Sequence, residues 1–448
     1  MPSISARWLF DGKGCLYEHA LLAWEGERII AVEPGRASYA EQRFGQALIM
    51  PGLVNAHTHL DLSDLSMQES PRDPCSWLGR VVAYRRTATA ASICEAVRRG
   101  IVESVQHGVT LVGDIAATRH TLEVLRNSPL RATVFLEILG LSKSRARAAW
   151  QAARALLRSE TPAGHYCLGL SPHSPYSTRR GLFCLAAQTR LPLAIHFAEF
   201  AEELALLTSH TGPFRAWLES LSAWDETALF PSYESLLRWL RSATRLLLVH
   251  VNYPTEPLVT TLVHWAGNDR VGVVYCPRTH AYFGHPPHPW LQLLQRGVPI
   301  VFGTDSRASN PDLDLLAELR YVWQRGCPLT PAELFQMATH TAAKLLNWTE
   351  AGFLAPGRLA DFLVIPLEAA NIHDPLRTLL ETDSTPQHVY VGGQLVYAAG
   401  SEARGCGGTC STGTAANNSP NFSRKPGNTS PPSSSADSPT TRTWSGLE

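Results

Sequence analysis

The sequence predicts an α/β protein built around a TIM-like (β/α)8 barrel. Eight apolar runs of strand length recur along the chain, and amphipathic helical patterns at residues 93–106 and 144–157 separate some of them. Buried strands that alternate with helices indicate a parallel sheet, and the count of eight favours a closed barrel. A doubly wound open sheet is the alternative, but no Gly-rich dinucleotide fingerprint follows the first run. The runs are residues 47–54, 109–115, 132–139, 167–170, 191–195, 246–249, 271–275 and 298–302.

The segments before and after the barrel predict a second, smaller β domain. A hairpin turn at Gly392 and Gly393 is expected within the strand-like residues 389–397 of the C-terminal segment. We expect residues 1–48 and 353–400 to form a composite β-sandwich beside a barrel of residues 49–352. The strand-like segments outside the barrel are residues 6–10, 20–24, 28–32, 357–365 and 389–397.

The last part of the chain, residues 401–448, has a different composition from the rest. Ser, Thr, Pro, Asn and Gly dominate it, and apolar residues are scarce. Such a segment buries too little apolar surface to offset the conformational entropy lost on folding. The sequence therefore predicts a disordered tail.

The composition indicates a globular enzyme that acts on a small molecule. Hydrophobic residues make up 44% of the 448 residues, and 39 basic side chains balance 39 acidic ones. No basic stripe indicates nucleic-acid binding, and no apolar run is long enough to span a bilayer. The nine cysteines are scattered, and the N-terminus lacks a signal-peptide pattern. We therefore expect a cytoplasmic protein with a small-molecule substrate and no nucleic-acid or membrane partner, while homo-oligomer formation stays open.

Two histidines follow the first apolar run and indicate a metal site. His57 and His59 are separated by one residue, and side chains at positions i and i+2 of a strand point the same way. The two imidazoles can therefore approach a single ion. Taken alone, such a pair is equally well explained by hydrogen bonding near a surface.

Further polar side chains stand where other predicted strands meet loops. His196 and Glu199 follow the fifth strand, His250 ends the sixth, and Asp305 follows the eighth. The carboxyl ends of barrel strands converge on one rim, where active sites lie. A single strand-end His or Asp is more often a capping or hydrogen-bonding residue, but their joint occurrence at four strand ends is specific. Three histidines and one aspartate suit a divalent ion such as Zn²⁺, and iron or manganese also fit such ligands.

Several motifs resemble those of the metal-dependent amidohydrolase superfamily over about residues 5–398. The motifs are PGLVNAHTHL, HFAE, LVHV, GTDS and APGRLADFLVI. Within the superfamily, SPHSPYS at residues 171–177 and CPRTHAYFGH at residues 276–285 are similar to the branch of chlorohydrolases and aminopurine nucleoside deaminases. The resemblance is greatest to deaminases of aminodeoxyfutalosine and S-adenosylhomocysteine. It implies a (β/α)8 barrel that carries a mononuclear hydrolytic site.

The resemblance also implies a role for each strand-end residue. Asp305 would bind the metal together with three histidines and accept a proton from the attacking water. Glu199 would protonate the leaving nitrogen, and His250 would lie just beyond the metal and orient the water or the reacting group. Superfamily members with two metals commonly bridge them with a carboxylated lysine near the fourth strand end, and residues 165–176 contain no lysine. One ion is therefore expected, with the metal ligands His57, His59, His196 and Asp305.

The substrate-binding residues expected on the same rim follow strands four and seven. His173 would donate a hydrogen bond to a ring nitrogen of the substrate, with Tyr176 beside it; the alternative is a proline-rich loop with a structural histidine. Arg278 and His280 after strand seven are similar candidates. Trp77 suits either a pocket wall or the core. Three basic residues follow strand three: Lys143, Arg145 and Arg147. They could bind a substrate carboxylate as a cationic cluster, but a solvated helix face is the better interpretation.

The expected function is hydrolytic deamination of an aminopurine-type nucleoside with release of ammonia. Aminodeoxyfutalosine is the first expected substrate, ahead of S-adenosylhomocysteine, adenosine and guanine. Deamination of aminodeoxyfutalosine implies a role in menaquinone biosynthesis. One alternative keeps the metal but removes chloride from a triazine-like ring or opens a cyclic amide. An alternative of another class is a non-catalytic binding scaffold, which the complete ligand set disfavours.

Overall fold

Three groups of strands make up the sheets of the computed structural model, which describes residues 1–67, 69–70, 73–160, 164–267, 270–368 and 371–400. The N-terminal strands β1 to β7 are Ser3–Ser5, Trp8–Phe10, Leu16–Glu18, Leu21–Glu25, Arg28–Glu33, Gln42–Arg43 and Ala47–Pro51. The barrel strands β8 to β15 are Leu53–Thr58, Val109–Ala116, Arg131–Ile138, Tyr166–Pro172, Leu193–Phe197, Leu246–His250, Val271–Tyr275 and Ile300–Phe302. The C-terminal strands β16 to β18 are Phe362–Pro366, His388–Val391 and Gln394–Ala398.

Helices cover the barrel and follow most of its strands. The α-helices α1 to α15 are Pro74–Thr87, Ala90–Gln106, Arg119–Leu125, Lys143–Ser159, Arg180–Gln188, Ala201–Ser209, Pro213–Ser220, Tyr233–Trp239, Glu256–Ala266, Pro277–Tyr282, Trp290–Gln295, Leu315–Gln324, Pro331–Gln336, Ala342–Leu345 and Pro375–Glu381. Short 3-10 helices span Ala37–Tyr39, Leu60–Leu62 and Glu226–Ala228, and a π-helical segment, Met337–Thr341, joins α13 to α14. Within the described ranges, no helix is long and apolar enough to cross a membrane.

The barrel prediction is confirmed. Strands β8 to β15 pair in chain order in one parallel, eight-stranded sheet. The first and last strands approach each other through an isolated parallel bridge between Thr58 and Asp305, and the amide of Asn55 exchanges hydrogen bonds of 2.8 and 3.1 Å with Thr304. A Cβ on Gly303 would lie 2.8 Å from the carbonyl oxygen of His57, so only glycine permits this close approach. The closure brings the ends of the first and eighth strands together.

The first predicted strand is two strands in different sheets, which corrects the sequence interpretation. The apolar run of residues 47–54 divides at Gly52, between β7 and β8. β7 pairs with β2 and β16 in the small domain, whereas β8 begins the barrel and extends to Thr58. A Cβ on Gly52 would lie 2.1 Å from the hydroxyl oxygen of Thr110, so the glycine allows the chain to pass close to β9 at the crossing. The run is apolar throughout because both strands are buried.

The two terminal segments share a six-stranded sheet, as expected. Its order is β18-β17-β16-β7-β2-β3, and it packs against a four-stranded sheet of order β5-β4-β1-β6. The core between the sheets includes Ile4, Leu22, Ile49, Phe362 and Tyr390. The hairpin turn between β17 and β18 has glycines at φ +57° and +72°, the left-handed conformation that a two-residue type I′ turn requires. The predicted tail, residues 401–448, lies outside the described residues.

A buried ion pair ties the small domain to the barrel. The guanidinium of Arg131, at the start of β10, donates to both carboxylate oxygens of Asp361 at 2.7 and 3.2 Å. Both side chains are nearly inaccessible, with 2% and 3% exposure. The same carboxylate accepts a hydrogen bond from the backbone N–H of Gly392 at 2.7 Å. Asp361 therefore satisfies donors from the barrel and from the small domain at once.

We expect Asp361→Ala to lower the free energy of unfolding by about 3–5 kcal/mol, because it leaves the buried Arg131 without its main partner. Denaturant unfolding followed by circular dichroism measures the change. Glu27→Ala is the matched control, since Glu27 pairs with the same guanidinium at 3.0 Å but is 65% exposed. It should cost much less, and equal losses in the two variants would contradict the assignment.

Candidate metal centre and active site

The residues predicted at the strand ends converge at the carboxyl end of the barrel. His57 is the penultimate residue of β8, and His59 follows that strand directly. His196 is the penultimate residue of β12, and His250 ends β13. Asp305 lies three residues beyond β15. All five side chains are buried.

The backbone at these strand ends adopts conformations that side-chain-bearing residues rarely take. Ala198, His250, Val251 and Asp305 have φ values of 49°, 74°, 55° and 56°. Left-handed conformations cost about 1–3 kcal/mol each and concentrate at functional sites. His288 supports the left-handed conformation of His250, because its Nε2–H donates to the carbonyl oxygen of His250 at 2.7 Å. The turns redirect the chain so that the side chains point into the barrel mouth.

The ligand atoms of the five residues are within the distances that one ion requires. Asp305 Oδ1 lies 3.5 Å from His57 Nε2 and 3.6 Å from His59 Nε2, and His59 Nε2 lies 3.1 Å from His196 Nε2. Donor atoms of His57, His59 and Asp305 all lie within 4.8 Å of one another, as do those of His57, His196 and His250. His250 thus belongs to one of the two groups of donor atoms that could hold an ion.

The unsatisfied buried atoms fit a metal ion. Both ring nitrogens of His57 and the Nε2 atom of His250 are buried without a hydrogen-bond partner. Buried polar atoms are normally satisfied, and a shared cation would satisfy these. Burial lowers the pKa of His59 and of His196 well below the ordinary histidine value, and it lowers the pKa of His250 to about 3. The rings are therefore neutral, as metal ligation requires.

Outer hydrogen bonds orient two of the predicted ligands. His196 Nδ1 donates to the carbonyl oxygen of His173 at 3.1 Å, which leaves Nε2 free to face the cluster. The hydroxyl of Ser309 donates to Asp305 Oδ2 at 2.9 Å, and Oδ1 is the oxygen that faces the histidines. Partners of this kind set the tautomer and the ring or carboxylate orientation at metal sites. The set is therefore held in place by the protein itself.

Glu199 lies beside the cluster, two residues beyond β12. Its Oε1 is 3.5 Å from His250 Nε2, and its side chain is buried. Asn252 Nδ2 donates to the carbonyl oxygen of Glu199 at 3.0 Å and fixes the loop. Burial, and then the negative charges of Asp305 and Glu203, raise the pKa of Glu199 well above the ordinary value. A carboxyl group of this kind retains a proton that it can deliver to a leaving group.

His173, Tyr176 and Trp77 all line the cavity above the cluster. His173 follows β11 directly, and its Nδ1 is 2.7 Å from Ser177 Oγ, so its Nε2 remains for other partners. The ring of Tyr176 packs 4.6 Å from Phe214. Trp77 donates from Nε1 to the carbonyl oxygen of Ala308 at 3.1 Å. Trp77 is therefore both a residue of the cavity wall and a buried residue of the core.

The structure does not bring Arg278 and His280 to this cavity, which corrects the expectation for both. The Arg278 guanidinium binds Glu318 at 2.7 Å and Asp312 at 3.0 and 2.5 Å, so it is committed to other elements of the fold. His280 lies among other rings, 5.4 Å from His285 and 5.5 Å from His288. The cluster considered as a carboxylate site is exposed on α4, as the solvated interpretation expected; its members are Lys143, Arg145 and Arg147.

The sequence interpretation missed several side chains of the cavity wall. Helix α1 contributes Leu78, Val81 and Arg85, and the 3-10 helix after His59 contributes Leu62. Arg85 is paired with Glu137, which sits near the end of β10. Glu137 could have been noticed in the sequence, because it is a carboxylate within the otherwise apolar run of residues 132–139. Nothing in the local pattern of α1 distinguished Arg85 from the surface arginines around it.

The cavity above the cluster is small in this structure, about 40 Å³. Pockets that bury a drug-sized ligand are typically about 300–1,000 Å³. The cavity is therefore smaller than the pockets that typically hold a ligand of nucleoside size. The full lining is His59, Leu62, Trp77, Leu78, Val81, Arg85, His173, Tyr176, His196, Glu199, His250, Asp305 and Ser306.

Comparison with known proteins places these features in a family context. The Amidohydrolase family model matches residues 48–396. The chain is 31% identical over 333 residues to the aminodeoxyfutalosine deaminase of Deinococcus radiodurans, covering 69% of this chain and 75% of that protein. It is 25% identical over 371 residues to the 5-methylthioadenosine/S-adenosylhomocysteine deaminase of Natronomonas pharaonis, covering 78% of this chain and 81% of that protein.

Solved structures share the fold at lower sequence identity. The aminofutalosine deaminase of Helicobacter pylori, crystallised in complex with methylthio-coformycin, has a TM-score of 0.75 at 22% identity and covers 89% of this chain and 100% of that chain. The atrazine chlorohydrolase of Arthrobacter aurescens, crystallised with zinc, has a TM-score of 0.73 at 22% identity and covers 89% of this chain and 95% of that chain. At this identity the two structures establish the fold alone.

Proposed function

The chain belongs to the amidohydrolase family, and from this premise we propose that it is a hydrolytic deaminase of an adenosine-like nucleoside that depends on one divalent metal ion. The observation that carries the proposal is the convergence of His57, His59, His196 and Asp305, with Glu199 beside them. Hydrolysis of carbon–nitrogen bonds is the chemistry of the deaminases to which the chain is similar in sequence.

Each residue of the site has a defined task in this reaction. When bound, a divalent ion supplies Lewis acidity, which lets water attack an aromatic ring carbon at neutral pH. Asp305 accepts a proton from the water, and Glu199 delivers a proton to the exocyclic nitrogen, so that ammonia leaves. His250, 3.5 Å from Glu199 Oε1, orients the attacking group. His173 donates from Nε2 to a ring nitrogen and holds the base in place.

One ion per chain is part of the proposal, and zinc is the ion whose coordination preferences match these ligands best. Zn²⁺ suits neutral imidazoles and a carboxylate, while iron and manganese are the alternatives that the test must include. Among the described residues that line the cavity, none is a lysine that could be carboxylated to bridge a second ion. Metal analysis of the purified protein should therefore give one ion per chain.

Aminodeoxyfutalosine is the first substrate to test, since its deaminase in Deinococcus radiodurans is the relative with 31% identity. S-adenosylhomocysteine, adenosine and guanine follow. Turnover of aminodeoxyfutalosine would connect the protein to menaquinone biosynthesis. We infer a cytoplasmic location from the nine cysteines, which are scattered along the sequence rather than arranged as a disulfide framework.

The experiment is a measurement of ammonia release from these four compounds and from a chlorinated triazine. Deamination replaces an amine with an oxygen function, so the product mass rises by about one dalton as the metal-activated water is incorporated. Rapid turnover of one nucleoside supports the proposal. Far better turnover of the triazine, with chloride release, would identify a chlorohydrolase. Bound metal without turnover of any amine, amide or halide would identify a binding scaffold.

A further inference from the structure

A second polar cluster lies on the cavity wall, away from the candidate metal ligands. Arg85 of α1 lines the cavity, and its Nη1 donates to Glu137 Oε2 at 2.9 Å. Its Nε lies 3.4 Å from Asp61 Oδ2. The two carboxylate side chains are only 2% and 3% exposed, and that of Arg85 is 24% exposed. An arginine of the cavity wall is thus paired with two buried carboxylates, neither of which is itself part of the cavity lining.

The cluster retains two buried donors, Arg85 Nε and Nη2, and two buried acceptors, Glu137 Oε1 and Asp61 Oδ1, without hydrogen-bond partners. Arg85 Nη2 and Glu137 Oε1 are one such donor and one such acceptor. Glu137 Oε1 lies 3.9 Å from His173 Nε2, so the free acceptor adjoins the ring-binding part of the cavity. Buried polar atoms are rarely left unsatisfied, because each costs about 1–3 kcal/mol. A ligand group that both accepts and donates would satisfy the two atoms together.

The charges of the cluster select the kind of group. Glu137 alone compensates the single positive charge of Arg85, and Asp61 lies on the other side of the guanidinium. No net positive charge is left to attract a carboxylate or phosphate, and a second anion would be repelled by Glu137. A neutral hydroxyl has the required donor and acceptor and meets no repulsion.

The position of the cluster matches the layout of a nucleoside. The ring of His173 lies 4.7 Å from that of His196 on one side, and its Nε2 faces Glu137 on the other. A base that accepts a hydrogen bond from His173 Nε2 would lie beside Glu137 and would direct its sugar towards Arg85 and Glu137. We propose that Arg85 and Glu137 form the sugar subsite, with Glu137 Oε1 accepting from a ribose hydroxyl and Arg85 Nη2 donating to a hydroxyl oxygen. This inference rests on the proposed function.

The test compares adenosine with 2′,3′-dideoxyadenosine in the metal-loaded protein and in Glu137→Gln. The wild-type protein should prefer adenosine by at least about tenfold in kcat/KM, because removal of the hydroxyls leaves buried polar groups unpaired. In Glu137→Gln the preference should fall to within about threefold, through loss on adenosine with little change on the dideoxy compound. An unchanged preference, or an equal loss on both compounds, would overturn the subsite.

Two further variants provide a matched control and a second test of the subsite. Glu103→Gln is the matched control, because Glu103 also pairs with an arginine at 3.0 Å, but that arginine, Arg307, does not line the cavity as Arg85 does. Its preference for adenosine should equal that of the wild-type protein. Arg85→Lys keeps the charge but removes Nη2, and a reduced preference is expected there even if Glu137→Gln does not fold.

Failure of the subsite can be separated from failure of the proposed function. If no nucleoside is deaminated, the proposed function fails, and calorimetric binding of the same two nucleosides still tests the subsite. Tighter binding of adenosine that Glu137→Gln abolishes supports the subsite. Equal binding of the two compounds rejects it.

Discussion

Asp305→Ala is expected to abolish metal retention and to lower deaminase activity by about 10⁴-fold, since the catalytic contribution of a metal ion is several kcal/mol. Asp305 is the carboxylate of the candidate ligand set, and its Oδ1 lies within 3.6 Å of the Nε2 atoms of both His57 and His59. Without it, the candidate ligand set consists of imidazoles alone, with no carboxylate to offset the charge of a divalent cation. Metal content after dialysis and ammonia release measure the two effects.

The control for this prediction is Asp312→Asn. Asp312 belongs to the same segment after β15 but binds Arg278, which also keeps Glu318 as a partner. Its metal content and activity should match those of the wild-type protein. Removal of the metal by a chelator should reproduce the inactive state, and added Zn²⁺ should restore activity. Full metal content and activity in Asp305→Ala would show that the centre has been misassigned.

Glu199→Gln is expected to lower kcat by about 10²–10⁴-fold while leaving the metal content unchanged. Glutamine has nearly the same shape, so it preserves the packing of this buried position, but it cannot deliver a proton to the leaving nitrogen. The 3.5 Å separation of Glu199 Oε1 from His250 Nε2 places the carboxyl beside the cluster rather than among the predicted ligands. Single-turnover kinetics and metal analysis distinguish loss of chemistry from loss of metal.

Glu202→Gln serves as the comparison for this variant. Glu202 is three residues further along, in the first turn of α6, and is not part of the cavity lining. It should retain wild-type kinetics. Activity of Glu199→Gln within about threefold of the wild-type protein would rule out the proton-donor role. Loss of metal together with activity would instead make Glu199 part of the metal-binding set.

Much of the barrel and of the candidate site was predictable because its signals are local. An apolar run marks a buried strand, and a polar residue at its end marks the rim of a parallel barrel. His196, His250 and Asp305 each stand at such a junction, and a single topological rule brings them together. The structure confirms the barrel, and it places these three residues in one cluster with His57 and His59.

Other features depended on partners that are distant in sequence. Residues 47–54 are uniformly apolar, and only sheet pairing divides them between β7 of the small domain and β8 of the barrel. The local sequence does not show which of Arg278 and Arg85 reaches the cavity. One is committed to Glu318 and Asp312 outside the cavity, and the other lines it beside Glu137. Side-chain direction and pairing are set by the packing of whole elements, which no local window contains.

The sequence by itself determined the barrel, the strand ends and the residue types that gather there, because hydrophobic periodicity and strand-end position are properties of short segments. Only the tertiary structure decided where the first strand divides, that His250 shares a possible ion-binding group with His57 and His196, and which arginine reaches the cavity. These outcomes follow from contacts between residues far apart in the sequence, such as Ala47 with Pro366 and Asn55 with Thr304, the latter pair separated by 249 positions. Such contacts exist only once the chain has closed on itself.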